Sequence, residues 1–243
     1  METVDAHASI ALASRILARQ GVVDGFGHVS RRCEANPDRF LMSRSLAPAL
    51  VRAGDIVELD LAGNCEAPSA PPLFLERFIH AAIYRARPDV MAVVHSHAAA
   101  VLPFTVVHDV SVRPICHICG FLEGVSQPFD VADHAGDASD LLIRNEGLGA
   151  EFARHLDGAA VGLMRGHGFT TVGASVAQAV FRAIYTVRNC EVQAAALQLG
   201  SPKYLSSGEA RSCEETTIGQ ADRAWNLWVH DLGQEQEDIF HDR

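Results

Sequence analysis

The chain has 243 residues, of which 48% are hydrophobic and 21% are charged, and its formal net charge is −10. This composition is ordinary for a globular protein, and the acidic balance argues against partners such as nucleic acid or an anionic membrane, which need a basic surface. No apolar run approaches the roughly 20 residues of a membrane span, and the acidic, helix-patterned N-terminus does not resemble a signal peptide. We therefore expect a cytoplasmic protein with one domain over residues 1–243.

The first half of the chain combines helix and strand patterns. Apolar spacing predicts an amphipathic helix over residues 5–20. Strand patterns then recur three times, over residues 27–32, 39–43 and 55–60. After a proline-rich loop, a helix is predicted over 74–86, and residues 90–97 have the pattern of a buried strand. The segment after that strand predicts a short helix that ends at Pro103.

The second half predicts a hairpin and a long helix. Three elements precede the long helix, namely a helix near 147–156 and strands over 159–164 and 169–173. The sequence Arg-Gly-His-Gly joins the two strands and puts His167 at the tip of their hairpin. Ser175 is placed to cap a helix that continues to about residue 199. Residues 206–243 form a polar tail with a tryptophan-containing segment.

A His-x-His pair at the end of the predicted strand 90–97 is the first candidate functional feature. Strand side chains alternate between faces, so His95 and His97 point to the same side and Ser96 to the other. Two neutral imidazoles on one face can share a divalent metal. The third ligand is either His167 or His117. We favour His167, because its flanking glycines allow a close approach of the backbone.

These features resemble the class II aldolase/adducin family. The resemblance begins with Glu76 opening a helix, continues with Ile-Tyr-Arg-Ala-Arg-Pro-Asp-Val-Met-Ala-Val-Val-His-Ser-His, and ends with Arg-Gly-His-Gly-Phe-Thr-Thr-Val-Gly. It extends over nearly the whole chain, from Gly-His-Val-Ser at 27–30 to the helix at 175–199. It implies an α/β fold, a three-layer α/β/α sandwich with a central mixed, mainly antiparallel sheet. It also implies a homotetramer with active sites at subunit interfaces.

The same resemblance assigns roles to the candidate residues. His95, His97 and His167 would hold one divalent metal, with Zn, Mn, Fe and Co all compatible with three histidines. Glu76 would be the acid/base residue. The metal would act as an electron sink in the breaking of a carbon–carbon bond.

Departures from the sugar-phosphate members of the family change the expected substrate. Phe74 and Leu75 stand where those members place small hydroxyl residues. The loop after the second strand, which is a small Gly/Thr/Ser loop in those members, here contains Ser43, Arg44 and Ser45. His28 replaces an asparagine of the early motif. Phenylalanine and leucine suit the faces of a flat ring, and arginine suits a carboxylate. These segments resemble the branch of hydroxypyridine-dicarboxylate and dihydroxyphthalate decarboxylases.

The expected function is therefore a metal-dependent decarboxylase of a hydroxylated aromatic or heteroaromatic dicarboxylate. Arg44, with Ser43 and Ser45, would hold a second carboxylate of this small-molecule partner. His28 would orient a substrate oxygen, and His117, from a neighbouring subunit, is a second candidate proton donor. The C-terminal segment 206–243 is a candidate cover for the site.

Two other functions are compatible with the sequence. One is an aldolase, epimerase or dehydratase that acts on a sugar or a sugar phosphate. The absence of hydroxyl residues at positions 74 and 75 argues against this function. The other is an adducin-like binding module without catalysis, which the retained histidines and Glu76 count against. Four further histidines are expected to be surface residues or ordinary buried ones, namely His80, His108, His134 and His155.

Overall fold

The computed structural model describes residues 5–66, 70–233 and 239 of the chain. Its central sheet has six strands, β1 His28–Arg32, β2 Arg39–Ser43, β3 Ile56–Asp60, β4 Ala92–Ser96, β5 Val161–Met164 and β6 Gly168–Gly173. The strand order is β3-β2-β1-β4-β6-β5, and every pair of neighbouring strands is antiparallel. A separate bridge between Phe129 and Met164 is parallel. Within the described residues the six strands thus form an antiparallel sheet, and the parallel pairing is confined to this isolated bridge.

Helices account for most of the remaining regular structure. Their bounds are α1 Ala6–Arg19, α2 Arg77–Ala86, α3 Pro103–Val106, α4 Ala132–Ala135, α5 Glu146–Leu156, α6 Val176–Leu199, α7 Ser207–Thr217 and α8 Ala221–Leu232. Three of them begin with side-chain caps, in which Asn145 accepts the Leu148 N–H, Ser175 accepts the Gln178 N–H and Ser206 accepts the Glu209 N–H. These caps satisfy N–H groups that the first turn of a helix leaves unpaired.

The sheet separates two hydrophobic cores, which gives the three layers predicted above. On one face, Ala92 and Val94 of β4 belong to the core formed with α1, α6 and α8. On the other face, Val93 belongs to the core formed with α2 and α5. Because strand residues alternate between faces, His95 lies on the face of α2 and Ser96 on the face of α1. The three-layer α/β/α architecture is confirmed.

Strand β4 lies in the middle of the sheet and brings the site residues together. It pairs with β1 so that His28 is opposite His95, and with β6 so that Thr170 is also opposite His95. The β5–β6 hairpin turns at residues 165–167, just before Gly168 pairs with Met164. Gly168 packs so closely against the Ser96 carbonyl that a Cβ atom there would overlap it. This contact holds the hairpin turn beside the end of β4.

One expectation for a single element was wrong. Pro103 does not end a helix but occupies the first turn of α3, where its missing N–H costs no hydrogen bond. The polar tail, for which the sequence analysis named no element, begins with α7, whose Ser206 and Glu209 form a reciprocal capping box. Helix α7 packs against residues 117–122, and α8 packs against α6 and α1.

Parts of the predicted tail lie outside the described residues, namely 234–238 and 240–243. That residues 206–243 cover the site stays a prediction, as does the single domain over residues 1–243. Among the described helices, none has the length and hydropathy needed to cross a membrane.

Candidate metal centre and substrate pocket

Four side chains converge at the end of β4. The Nε2 atom of His97 lies 2.9 Å from the Nε2 atoms of both His95 and His167. The Oε2 atom of Glu76 lies 3.4 Å from His95 Nε2, 3.9 Å from His97 Nε2 and 3.3 Å from His167 Nε2. One ligand atom from each residue falls within 4.8 Å of all the others. The third histidine of this cluster is His167, not His117.

The spacing of these atoms fits a divalent metal. At a metal–nitrogen distance of about 2.1 Å, two ligand atoms lie about 3.0 Å apart at a right angle and about 3.4 Å apart at the tetrahedral angle. The separations of 2.9–3.4 Å among most of the atoms match these values. Three imidazoles and a carboxylate also form a donor set that is typical of catalytic metal sites.

Neighbouring groups set the direction in which two of the rings face the centre. His167 Nδ1 lies 2.9 Å from the Leu141 carbonyl oxygen, which only accepts, so Nδ1 carries the proton and Nε2 presents a lone pair. His95 Nδ1 lies 3.2 Å from Thr170 Oγ1. Leu141 has a positive φ of 65°, an uncommon conformation for a leucine. Such strain often persists where it serves a functional geometry.

Glu76 is held as a carboxylate. It caps α2 at its N-terminus and is only 6% exposed, and the Ile143 N–H donates to its Oε1. Burial would raise its pKa, but the close contacts of Oε2 with the imidazoles of His95 and His167 outweigh burial and put the pKa far below the usual range. Oε2 is the oxygen that faces the histidines.

The pKa values of His95 and His167 are shifted in opposite directions. Burial lowers the pKa of His95 to about 4, although Glu76 opposes this shift. Burial also acts to lower the pKa of His167, but there the hydrogen bond and charge of Glu76 dominate and the pKa is raised. His95 is therefore a neutral ligand at neutral pH, as metal binding requires.

A cavity of about 390 Å³ opens beside this centre. Its polar lining includes His28, Ser45, Glu76 and His97. Its apolar walls come from six side chains, Phe26, Leu46, Ala47, Phe74, Leu75 and Leu142. The volume is within the range of small-molecule sites, and the mixture of apolar walls with few polar groups is typical of them.

The wall residues differ in their exposure. Phe26 and Leu75 are 69% and 58% exposed, so the rim of the pocket is apolar and open in the isolated chain. Phe74 packs deeper, with its ring centre 4.6 Å from that of His28. His28 is buried, and its ring centre lies 5.0 Å from that of His95. The pocket thus joins an aromatic wall to the histidine cluster.

Other predicted site residues lie at different distances from the pocket. Ser45 lines it, whereas Ser43 is buried at the end of β2. Arg44 lies between them and pairs through Nε with Asp55 Oδ1 at 2.8 Å. His117 is exposed and belongs to the 3₁₀ helix His117–Leu122, which packs against α7. Neither Arg44 nor His117 lines the cavity among the residues that the structure describes.

The sequence analysis missed several residues of the site, of which three bear most on its geometry. Leu141 and Phe26 come from loops whose position depends on the whole fold, and no local pattern indicates them. His80 was expected to be an ordinary histidine, but its Nε2 lies 2.7 Å from His28 Nδ1. It stands four residues after Glu76 on α2, a helical spacing that places both on one side of the helix. That spacing was the available signal.

Comparisons with known proteins identify the family. Residues 8–194 match the family described as Class II Aldolase and Adducin N-terminal domain. "Decarboxylase tropJ" of Talaromyces stipitatus is 41% identical over 89% of this chain and 90% of its own length. The "3,4-dihydroxyphthalate decarboxylase" of Arthrobacter keyseri is 32% identical over 93% of this chain and 92% of its own.

A solved structure supports the fold independently. The L-fuculose 1-phosphate aldolase of Glaciozyma antarctica superposes with a TM-score of 0.76, covering 95% of this chain and 91% of that chain at 22% identity. At this identity the likeness concerns the fold alone. The architecture, the family match and the decarboxylase relatives agree, and the chain belongs to the class II aldolase and adducin family.

Proposed function

We propose that this protein is a metal-dependent decarboxylase of a hydroxylated aromatic or heteroaromatic dicarboxylate. The observation that carries the proposal is an apolar, partly aromatic pocket that opens directly onto the cluster of Glu76, His95, His97 and His167. Relatives named as decarboxylases support the reaction type, and one of them is named for a dihydroxyphthalate.

A divalent metal would be held by His95, His97 and His167, with Glu76 beside it, and would supply a Lewis acid that withdraws electrons from the breaking carbon–carbon bond. The cluster can play this part because its ring nitrogens converge and His167 presents a lone pair. The metal can be Zn, Mn, Fe or Co, all of which accept imidazole ligands.

Glu76 is proposed to carry the proton. Glu76 is ionised at rest, so its carboxylate is free to accept the proton of the ring hydroxyl next to the departing carboxylate. The protonated Glu76 then gives this proton to the ring carbon that bears the departing carboxylate, so the ring becomes keto-like and Glu76 is again a carboxylate. The substrate carboxylate leaves as carbon dioxide, and the bonding electron pair moves into the ring toward the former hydroxyl oxygen, which restores the aromatic ring.

The pocket residues are proposed to hold the ring and its second carboxylate. Phe74 and Leu75 lie on the apolar side and would contact the ring faces. Ser45 lines the pocket. Among the described residues, Arg44 pairs through its Nε with Asp55, so its two Nη groups remain for a carboxylate. Ser43 would support this loop at the end of β2.

A homotetramer with active sites between subunits is also proposed. The exposed apolar rim at Phe26 and Leu75 supports it, because burying such a rim against another subunit is favourable. His117 is exposed in the isolated chain, so its role as a proton donor requires that a neighbouring subunit brings it to the pocket.

The experiment that tests the proposed function is carbon dioxide release from a panel of compounds. The panel contains hydroxyphthalates, hydroxypyridine dicarboxylates and, as the alternative substrates, sugar phosphates assayed for aldol cleavage. We expect release from at least one hydroxylated dicarboxylate and no cleavage of the sugar phosphates. Cleavage of a sugar phosphate without any decarboxylation would contradict the proposal, and a protein without bound metal or either activity would favour the binding module.

A further inference from the structure

Behind the pocket, four buried polar side chains form one continuous hydrogen-bonded row. His28 Nδ1 lies 2.7 Å from His80 Nε2, and His80 Nδ1 lies 2.6 Å from Ser30 Oγ. Ser30 Oγ lies 2.7 Å from the Tyr84 hydroxyl. His80, Ser30 and Tyr84 are at most 1% exposed, and His28 is 5% exposed. The row starts at the pocket wall and ends in the interior beneath the sheet.

The row is assembled from two elements. His28 and Ser30 are two residues apart on β1 and therefore share a face, and His80 and Tyr84 are one helical turn apart on α2. Each side chain contacts the next across the interface between strand and helix. Such an arrangement of buried polar groups is costly unless every group is paired, so the positions of the protons are constrained.

The end of the row determines the direction of all its hydrogen bonds. Among the described residues, Ser30 Oγ is the only hydrogen-bond acceptor for the Tyr84 hydroxyl. If Tyr84 donates to Ser30, Ser30 donates to His80 Nδ1, and the His80 Nε2–H donates to His28 Nδ1. The opposite direction would leave the buried Tyr84 O–H without an acceptor, which is unfavourable.

We propose that His80 is a positioning residue that holds His28 as its Nε2–H tautomer, so that His28 offers an N–H donor to an oxygen of the substrate. His28 lines the cavity, and its Nε2 makes no hydrogen bond to any residue that the structure describes. The inference deepens the proposed function and rests on it for the identity of the oxygen, which belongs to a hydroxyl or carboxylate on the ring. Burial lowers the pKa of both His28 and His80, which agrees with a neutral pair.

The direct test is the protonation pattern of His28 in the resting protein. Long-range nitrogen–proton NMR correlations of labelled histidines distinguish a protonated ring nitrogen from an unprotonated one, and the His28→Asn variant assigns the signal. We expect Nε2 of His28 to be protonated and Nδ1 to be unprotonated. The reverse pattern would overturn the inference. Because no substrate is needed, this result is independent of whether the protein is a decarboxylase.

Variants at His80 separate positioning from packing. His80→Leu fills much of the space but cannot donate, whereas His80→Gln keeps an N–H donor. We expect a mixed tautomer of His28 and a kcat about tenfold lower in His80→Leu, with both restored toward the native values in His80→Gln. Equal behaviour of the two variants would show that His80 only packs. His155→Leu is the matched control, since His155 bonds to Ser126 and Gln127 away from the pocket and should leave both readouts unchanged.

Discussion

At the scale of single residues, the candidate centre brings the proposed base, Glu76, together with the three histidines proposed to hold the metal. Glu76 is nearly fully buried, yet three histidines keep it ionised, and its Oε2 is the oxygen that faces them. A carboxylate that is ionised at rest suits a residue that must first accept a proton and later return it. Glu76 is not required as a metal ligand, because the three histidines can supply three nitrogen donors.

Replacing Glu76 by glutamine tests its role as proton carrier. Glutamine keeps the size of the side chain but cannot accept and return a proton, so we expect kcat for decarboxylation to fall by about a hundredfold to ten-thousandfold. The three histidines should retain the metal, which elemental analysis of the purified variant checks. Glu146→Gln is the control, since Glu146 is exposed and forms its ion pair with Arg85. Full turnover by Glu76→Gln would rule out the proposed role.

Replacing Arg44 by glutamine tests the proposed carboxylate contact. Loss of a charged hydrogen bond, worth about 1.5–3 kcal/mol, should raise KM for a dicarboxylate by about tenfold to a hundredfold. We expect KM for a matching monocarboxylate to change little. The control is Arg39→Gln, which removes an arginine of β2 that pairs with Glu66, and it should leave KM unchanged. Equal changes in KM for both substrates would contradict a contact with the second carboxylate.

At the scale of elements, the sequence predicted correctly those helices and turns that depend on residues close together in the chain. The hairpin with His167 at its turn and the long helix capped by Ser175 follow from spacing and capping, and both are present in the structure. The alternation of His95 and Ser96 between the two faces was also predicted correctly. Pro103 was misinterpreted because proline is compatible with the first turn of a helix as well as with its end.

Contacts between distant elements were beyond the reach of these patterns. Leu141 reaches His167 from a loop 26 positions earlier in the chain, and His80 reaches His28 across 52 positions. The residues around each partner do not indicate these contacts, because the contacts depend on how α2 and the 130–145 region pack on the sheet. The ligands were predictable because two of them share one strand, whereas the groups that orient them come from the assembled fold.

The contact between Gly168 and β4 gives a prediction at this scale. A Cβ at Gly168 would overlap the Ser96 carbonyl, between His95 and His97. We expect Gly168→Ala to push β6 away from β4, to lower the free energy of unfolding by about 1–3 kcal/mol, and to weaken metal binding. Thermal unfolding and metal titration measure the two effects. In the control Gly158→Ala, the added Cβ meets no atom within 4 Å. The free energy of unfolding and the metal affinity should therefore match those of the unmodified protein.

At the scale of the whole molecule, the open rim of the pocket is an exposed apolar surface of the isolated chain. Phe26 and Leu75 are largely exposed beside the candidate metal centre. His117 lies on the separate 3₁₀ helix that packs against α7. A second subunit that covered the rim and brought His117 to it would account for both features, which is the arrangement proposed above.

Mixing of inactive subunits tests that arrangement. If His117 acts on the pocket of a neighbour, Glu76→Gln and His117→Ala chains each have low activity, but a mixed assembly contains some pockets with both native residues. We expect decarboxylation to recover in assemblies that are dissociated and reassembled together. Sedimentation should show a tetramer for each variant. Recovery no greater than the sum of the separate variants would contradict a role for His117 across the interface.

The most direct test of the central claim is the metal dependence of carbon dioxide release. The protein is stripped with a chelator, and release from the best hydroxylated dicarboxylate is followed as Zn, Mn, Fe or Co is added back. We predict that stripping abolishes release and that about one equivalent of the active metal per chain restores it, whereas His167→Ala binds less metal and regains little activity. Full release from the stripped protein, or restoration in His167→Ala to the native level, would contradict the account.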